Sequence, residues 1–231
     1  GLWEERMLIV CTDHGICMGE REQWGKIYMP WYEEVARTPF WVWDPRSRQA
    51  DVRRRALVQP ALDIPVTLLR WFGQEPTGDM LGKDLSGVVA EDAPVREAAL
   101  FGQHGYPVNV TDGRYVYMRA TQEPSVRLYE YTFVPTHMVN PFSPEELAAG
   151  NVRIGPEFSF TKGTRPMQVG PEAHELSADE LEAWHAKPLH PDMRHTLLFD
   201  LEADPGQERP LDDPGTEARM CALMKALMQE C

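Results

Sequence analysis

Residues 7 to 26, MLIVCTDHGICMGEREQWGK, contain the stretch that decides the predicted fold. The segment from Arg6 to Thr12 is apolar without alternation, which is typical of a strand buried on both faces of a parallel sheet. It ends abruptly on Asp13, His14 and Gly15. Ligands of open parallel sheets bind beyond the carboxyl ends of the strands. The sequence therefore predicts a polar site at this strand end.

A second apolar segment of the same character runs from Pro39 to Trp43, and residues 31 to 36 before it are able to form a short helix. Strand, helix and strand is the order of a parallel α/β unit. We therefore predict the α/β class, with residues 1–95 forming part of a parallel sheet. Open sheets usually contain about five or six strands. Because only two are evident here, the sequence is expected to begin within a domain.

From about residue 96 the pattern changes to short segments with strand character, at 98–103, 107–110, 115–120, 126–133 and 195–201. Thr111-Asp-Gly-Arg114 separates two of them and predicts a hairpin turn. We predict that residues 96–231 form a small antiparallel subdomain that closes with a C-terminal helix. Apolar residues recur along that helix at helical spacing and predict its packing face, which comprises Met220, Leu223, Met224, Leu227 and Met228.

Three further helices are predicted from their ends. One spans residues 63 to 71 and stops before Gly73. The other two follow capping residues, because Ser143 and Ser177 each precede a glutamate by three residues, beside apolar residues able to form a staple.

Composition limits the classes of partner. The 231 residues include 36 Asp and Glu against 23 Lys and Arg, so the net charge is -13. This excess disfavours nucleic acid and anionic membranes, and no run of about eighteen apolar residues predicts a membrane span. The four cysteines lack the spacing of a zinc site or a disulfide framework. Reduced thiols and a cytoplasmic setting are the simplest interpretation, with Cys11 buried in its strand.

Asp13 and His14 allow two interpretations. A carboxylate and an imidazole are both good ligands for divalent metals. Alternatively, Asp13 caps the following turn, and His14 is a histidine at the rim of the fold with its hydrogen bonds satisfied. Two ligands are too few for a tight metal site, so the choice between these two interpretations depends on the surrounding sequence.

A series of short motifs follows in order along nearly the whole chain. They are Asp13-His14-Gly15, Met18-Gly19-Glu20, Trp24-Gly25-Lys26, Tyr32-Glu33-Glu34 with Arg37 and Pro39, Leu62 to Leu69, Gly82 to Leu85, and Leu198 to Glu208. Each motif is weak alone, but the ordered series is specific. It resembles the C-terminal part of the sulfatase family, within the alkaline-phosphatase superfamily.

This resemblance implies an alkaline-phosphatase-like core and the hydrolysis of sulfate esters. Asp13 and His14 would bind the divalent cation of the active site, with calcium first and manganese or magnesium as alternatives. Lys26 would be the catalytic residue that binds sulfate or phosphate oxygens and stabilises the leaving oxygen. His104 is a candidate for the lining of a substrate cleft, whereas Glu33 and Glu34 are interpreted as structural.

The sequence also departs from the family. Its nucleophile, a formylglycine made from Cys or Ser in a Cys/Ser-x-Pro/Ala-x-Arg motif, has no counterpart here, and neither have the early acidic metal ligands. The usual Gly-Glu-His-Gly is Gly19-Glu20-Arg21-Glu22. We therefore expect this chain alone to be inactive, with the formylglycine in a missing N-terminal part.

Three functional hypotheses remain open. The first is a portion of a sulfatase, and the second is a phosphodiester or phosphonate monoester hydrolase of the same superfamily. The third is a non-catalytic fragment or assembly module. The expected partners are a small anionic ester and, because the first strands look uncovered, either a second copy or the missing N-terminal segment.

Overall fold

The computed structural model describes residues 1–26, 30–102, 107–120, 129–137, 140–148, 152–169 and 195–230. These residues divide into two compact units. The first comprises Gly1–Thr121 with Leu189–Cys231, and the second comprises Gln122–Pro188. The domain boundary predicted after residue 95 stays a prediction.

The elements are numbered along the chain. The helices are α1 Leu2–Glu5, α2 Glu33–Ala36, α3 Pro60–Trp71, α4 Ser86–Glu91, α5 Pro144–Ala148 and α6 Pro214–Glu230. The strands are β1 Leu8–Cys11, β2 Cys17–Met18, β3 Trp24–Gly25, β4 Phe40–Trp43, β5 Ala99–Gly102, β6 Val108–Thr111, β7 Tyr115–Arg119, β8 Glu130–Thr132, β9 Val152–Ile154, β10 Met167–Val169 and β11 Leu197–Asp200. Elements α5 and β8 to β10 belong to the second unit.

The predicted parallel sheet is wrong. Strands β1 and β4 pair antiparallel, with Cys11 opposite Phe40 and Leu8 opposite Trp43, and every pairing between the described strands is antiparallel. A parallel pair needs a crossover that returns along the whole strand. Helix α2 has four residues and a length of about 6 Å, which is too short for that return.

The two-stranded sheet is also more exposed than its composition predicts. Leu8, Val10 and Trp41 keep 44%, 47% and 63% of their surface accessible. Cys11, which was predicted to be buried, is an exposed free thiol. Two short strands pair along their inner edges, which leaves the face of Leu8, Val10 and Trp41 open. Trp3 packs edge-to-face against Trp43 at 6.0 Å. The predicted burial at Cys11 is therefore wrong.

The main core surrounds a four-stranded antiparallel sheet in the order β11-β7-β6-β5. Helix α6 covers one face, where Met220 and Met224 pack with Val110, Tyr117 and Leu198. On the other face, Tyr32 packs with the alternate residues of the same strands, Val116, Met118, Leu197 and Phe199. This arrangement confirms the predicted packing role for Met220 and Met224, with Leu223 and Leu227 partly buried against them, whereas Met228 is 55% exposed.

Several local predictions are confirmed. Strands β6 and β7 pair through the expected hairpin, with Gly113 in the left-handed region at φ 93°. Helix α3 ends near the predicted stop but begins earlier, at Pro60. Its buried face carries Asp63, which is 0% exposed and lies 2.5 Å from the guanidinium of Arg96.

The second unit contains a three-stranded antiparallel sheet in the order β8-β10-β9. Tyr131 packs edge-to-face on Phe158 at 4.9 Å, and Phe158 stacks on Phe160. Helix α5 begins after Ser143 with Pro144 at its first position, as predicted. The helix predicted after Ser177 lies outside the described residues. Among the helices that the structure describes, none is long and apolar enough to cross a membrane.

Candidate active site

The first part of the candidate site is the tight turn that ends β1. Asp13 Oδ1 accepts a hydrogen bond from the backbone N–H of His14 at 3.1 Å. The hydroxyl of Thr12 donates to the carbonyl of His14 at 3.0 Å. These bonds fix the backbone that carries Asp13 and His14, and they leave the side chain of Asp13 82% exposed.

His14 and Lys26 meet across a gap of twelve residues in sequence. His14 Nδ1 lies 2.8 Å from the carbonyl oxygen of Gly15, which only accepts, so Nδ1 carries the proton. The Nε2 lone pair is then free to accept, and Lys26 Nζ donates to it at 2.5 Å. Asp13 Oδ2 lies 3.4 Å from the same Nε2 atom. The structure therefore brings together all three residues predicted from the sequence.

The charges of this group influence one another. Desolvation works against ionisation of Asp13, but the positive charge of His14 in its imidazolium form, the backbone N–H bonds and the Lys26 ammonium outweigh it and lower the pKa of Asp13. A carboxylate with a lowered pKa stays ionised at neutral pH. The candidate site thus presents one exposed carboxylate beside one ammonium group.

Gly15 is required by close packing. Its N–H donates to the carbonyl of Val35 at 2.9 Å, and a Cβ at this position would lie 1.9 Å from the carbonyl oxygen of Glu34. No other residue type fits at that distance. The glycine therefore lets the turn contact α2.

The two glutamates of α2 lie behind the candidate site. Glu33 accepts a hydrogen bond from Arg37 at 3.3 Å. Burial raises the pKa of the Glu33 carboxyl, against the opposing charge of Arg37. This pairing agrees with the structural role that the sequence indicates for Glu33. Glu34 has one buried carboxylate oxygen without a hydrogen-bond partner.

The donor set fits only part of a metal site. The protonated Nδ1 of His14 points Nε2 outward as a ligand, an orientation typical of metal-binding histidines. However, Lys26 uses that lone pair. No group of three or more His, Cys, Asp or Glu side chains able to hold a metal occurs in the described part of the chain. Two donors, Asp13 and His14, do not complete a metal site, and their role as ligands stays a prediction.

Some site predictions lie beyond the described residues, and others were missed. His104 falls in the undescribed segment 103–106. Arg21 and Gln207 contact the two segments of the site but were not predicted as site residues. Arg21 was noted only as a departure from the family motif, and Gln207 lies within the last motif. Their contacts cross 185 and 174 residues of sequence. No local pattern signals such contacts.

Comparison with known proteins gives matches at the level of structure. No family model matches the chain, and no curated protein matches it. Several solved structures do match the chain. A protein assigned as a sulfatase from Bacteroides thetaiotaomicron superposes with a TM-score of 0.53 at 15% identity, over 97% of this chain and 35% of that one.

Two further solved structures agree. A 2-O GAG sulfatase matches with a TM-score of 0.54 at 16% identity, covering 97% of this chain and 35% of its own. A protein in complex with its substrate D-glucosamine-2-N,6-O-disulfate gives a TM-score of 0.54 at 14% identity, over 97% of this chain and 33% of that one. The chain spans about a third of the length of the solved structures that it matches.

At such low identity the matches describe fold. They confirm, at that level, the resemblance that the ordered motifs predicted. The chain has the fold of about one third of a sulfatase.

Proposed function

We propose that this chain is the C-terminal portion of a metal-dependent sulfuric ester hydrolase. In this proposal Asp13 and His14 are metal ligands and Lys26 binds the anion. The observation that carries it is the 2.5 Å contact between Lys26 Nζ and His14 Nε2, with Asp13 beside them, in a fold shared with sulfatases.

The chemistry of Lys26 suits this role. Attack on a sulfate or phosphate ester concentrates negative charge on the peripheral and leaving oxygens, and a fixed ammonium group offsets it. Lys26 is exposed, so an anion can reach its Nζ atom. A divalent cation, when bound, would polarise the ester oxygens as a Lewis acid. In this structure His14 Nε2 holds the ammonium in place; a cation bound at His14 would use the same lone pair, and Lys26 would then be released toward the anion.

The substrate class is part of the proposal. The chain is expected to take a small anionic ester, and the solved structure in complex with D-glucosamine-2-N,6-O-disulfate favours a sulfated sugar. Without a nucleophile motif the chain has no group with which to form a covalent intermediate, so it is expected to show no turnover alone. A cytoplasmic setting is also proposed, on the ground that Cys11, Cys17 and Cys221 are free thiols.

A further polypeptide belongs to the proposal. One face of the β1–β4 sheet carries exposed apolar side chains, those of Leu8, Val10 and Trp41, the last of them 63% exposed. Exposed apolar surface of this kind marks association sites. We therefore propose that either a second copy of the chain or an N-terminal segment covers this sheet.

Anion binding tests the proposal without requiring turnover. Sodium sulfate is titrated into the chain while the NMR signals of His14 and Lys26 are followed. We expect these signals to move, and Lys26→Met to weaken the affinity about fivefold, because an exposed ion pair contributes up to about 1 kcal/mol. Lys225→Met, at an exposed lysine of α6, is the matched control and is expected to change nothing.

The same titration separates the hypotheses. Tighter binding of phenylphosphonate than of sulfate would favour the phosphonate monoester hydrolase. Sulfate that shifts signals elsewhere, with no effect of Lys26→Met, would exclude the anion site and leave the assembly module as the better hypothesis.

A further inference from the structure

The two segments that carry the candidate site are both attached to one distant turn. This turn, residues 204–207, follows β11 and is referred to as the 204–207 turn. His14 belongs to the end of β1, whereas Lys26 belongs to the end of the β2–β3 hairpin. These segments reach the turn through different contacts.

The first attachment holds the hairpin. Arg21 lies in the short turn between β2 and β3, and its guanidinium donates to the carbonyl of Gly206. The same guanidinium stacks over the ring of Tyr32, 3.5 Å from its centroid. Tyr32 is 1% exposed and packs edge-to-face against Phe199. The hairpin is thereby tied to the buried sheet.

The backbone of this hairpin turn needs such support. Arg21 and Glu22 have φ values of 53° and 60°, which is the left-handed region that non-glycine residues rarely occupy. Such conformations are strained for residues with a Cβ and persist where surrounding contacts enforce them. The contacts of Arg21 to Gly206 and Tyr32 provide that enforcement.

The second attachment holds the end of β1. The side-chain Oε1 of Gln207 accepts a hydrogen bond from the backbone N–H of Glu33, the first residue of α2, at 2.8 Å. Helix α2 in turn contacts the residue after His14, because Gly15 N donates to Val35 O at 2.9 Å. Gln207 is 1% exposed, so the bond is shielded from competing water.

The 204–207 turn is itself fixed. Gln207 N donates to the carbonyl of Asp204 at 3.0 Å, and Asp204 Oδ2 accepts from the backbone of Arg209 at 2.7 Å. Strand β11, which leads into the turn, is buried along Leu197–Phe199. The turn therefore offers both halves of the site a common rigid support.

We infer that the 204–207 turn sets the distance between His14 and Lys26, with Arg21 and Gln207 as positioning residues. The inference adds to the proposed function a statement of what positions its residues. It rests on the proposed function only for the role of the His14–Lys26 pair, and not for the distance between them. Charged groups stabilise a developing charge only when they are held in place before it forms. A misplacement of about 1 Å is enough to lose most of that benefit.

The test measures the distance directly in the full chain. The His14 Hε1 proton and the ε-methylene protons of Lys26 are expected to give a nuclear Overhauser cross-peak. Arg21→Ala and Gln207→Met are each expected to lower its intensity severalfold. Gln207→Met keeps the volume of the side chain but removes the acceptor for Glu33 N–H, while Gln207→Glu keeps an acceptor oxygen and is expected to retain the cross-peak.

The control is a buried amide away from the site. Asn109 in β6 is 0% exposed, and Asn109→Ala is expected to lower the melting temperature without changing the cross-peak. Cross-peaks that survive in both Arg21→Ala and Gln207→Met would overturn the inference, as would an equal loss in Asn109→Ala. A cross-peak that responds as expected in a chain that does not bind sulfate would refute the proposed function and leave the positioning role standing.

Discussion

The two larger sheets of the first unit have similar apolar strands and opposite surroundings. Strand β11 begins Leu-Leu-Phe and strand β1 reads Leu-Ile-Val-Cys. Phe199 of β11 is 1% exposed, whereas Trp41, opposite Val10 in the β1–β4 sheet, is 63% exposed. The difference lies in what covers each sheet.

The four-stranded sheet is covered on both faces by parts of its own chain. Helix α6 lies on one face, and Tyr32 packs into the other. The β1–β4 sheet differs, because one of its faces leaves Leu8, Val10 and Trp41 exposed, although Trp3 contacts Trp43. Apolar composition therefore shows that a strand is suited to burial, while its neighbours decide whether it is buried.

The largest expected effect tests this contrast with two aromatic residues. Phe199→Ala is expected to lower the free energy of unfolding by about 3–5 kcal/mol, because it leaves a cavity in a packed core. Trp41→Ala is expected to cost less than about 1 kcal/mol, because the side chain already contacts water. Urea unfolding followed by circular dichroism measures both changes.

The two variants serve as controls for each other, since each removes an aromatic ring from a strand. Equal losses at low protein concentration would break the comparison. They would show that the β1–β4 sheet is covered within a single chain.

The sequence predicted local structure well and long-range pairing poorly. The hairpin between β6 and β7, the helix α3 and the packing face of α6 depend on residues close in sequence, where turn residues and helical spacing carry the information. The direction in which β1 pairs with β4 depends on the chain between them. An apolar strand without alternation is compatible with either direction of pairing, so the sequence did not exclude the antiparallel arrangement and the prediction of a parallel sheet was wrong.

The same division applies to the candidate site. Asp13 and His14 are adjacent in sequence, and their place at a strand end was visible from the apolar segment. Lys26 came from the resemblance to sulfatases. Arg21 and Gln207 were missed because the bonds that give them a role cross more than 170 residues.

The second prediction concerns the exposed sheet as a contact surface. The chain is expected to associate in solution, and the double substitution Val10→Ser with Trp41→Ser is expected to raise the dissociation constant at least tenfold, because it removes apolar groups from the centre of the contact. Light scattering over a range of protein concentrations measures the change.

Phe72→Ser is the matched control. Phe72 is 71% exposed and lies at the end of α3, so it tests whether any exposed aromatic residue promotes association. A wild-type chain that stays monomeric at all concentrations would rule out the second copy as the covering partner.

The third prediction concerns metal at the end of the exposed sheet. Calcium and manganese are expected to bind weakly, because two protein ligands leave most coordination positions to water. Lys26→Met is expected to strengthen manganese binding about fivefold. It frees His14 Nε2, and it removes the repulsion between the Lys26 ammonium and the metal ion, which is worth about 1 kcal/mol for two unit charges about 4 Å apart in water. Asp13→Asn is expected to weaken manganese binding.

Calorimetric titration gives the affinities of the three proteins. Submicromolar binding by the wild-type chain would contradict the prediction. It would mean that further ligands come from residues outside the described segments.

The smallest expected effect is a change in stability at low pH, and it compares the carboxyl groups at the ends of β11 and β1. Asp200 ends β11, and the Arg114 guanidinium donates to its carboxylate at 2.7 Å. This hydrogen bond is the main cause of a lowered pKa of Asp200. The pKa of Asp13, at the end of β1, is lowered as well, but its partners belong to the exposed site and not to the core.

A carboxyl group whose pKa is lowered by folding stabilises the folded state above its unfolded pKa. That stabilisation is lost as the pH falls through the folded pKa. The free energy of unfolding of the wild-type chain is therefore expected to fall as the pH drops below about 4, and Asp200→Asn is expected to reduce this fall. The change is small compared with that of Phe199→Ala, because Arg114 is 49% exposed and solvent screens the pair.

Asp13→Asn provides the comparison, since it removes a carboxyl group of the same kind from the other strand end. Its effect on the acid dependence is expected to be smaller still, because the bonds of Asp13 join residues close to it in sequence and do not connect strands of the core. Thermal unfolding of the three proteins at pH 5, 4 and 3 measures the difference. An Asp13→Asn variant with a flatter pH profile than Asp200→Asn would show that the exposed strand end contributes more to folding than its burial indicates.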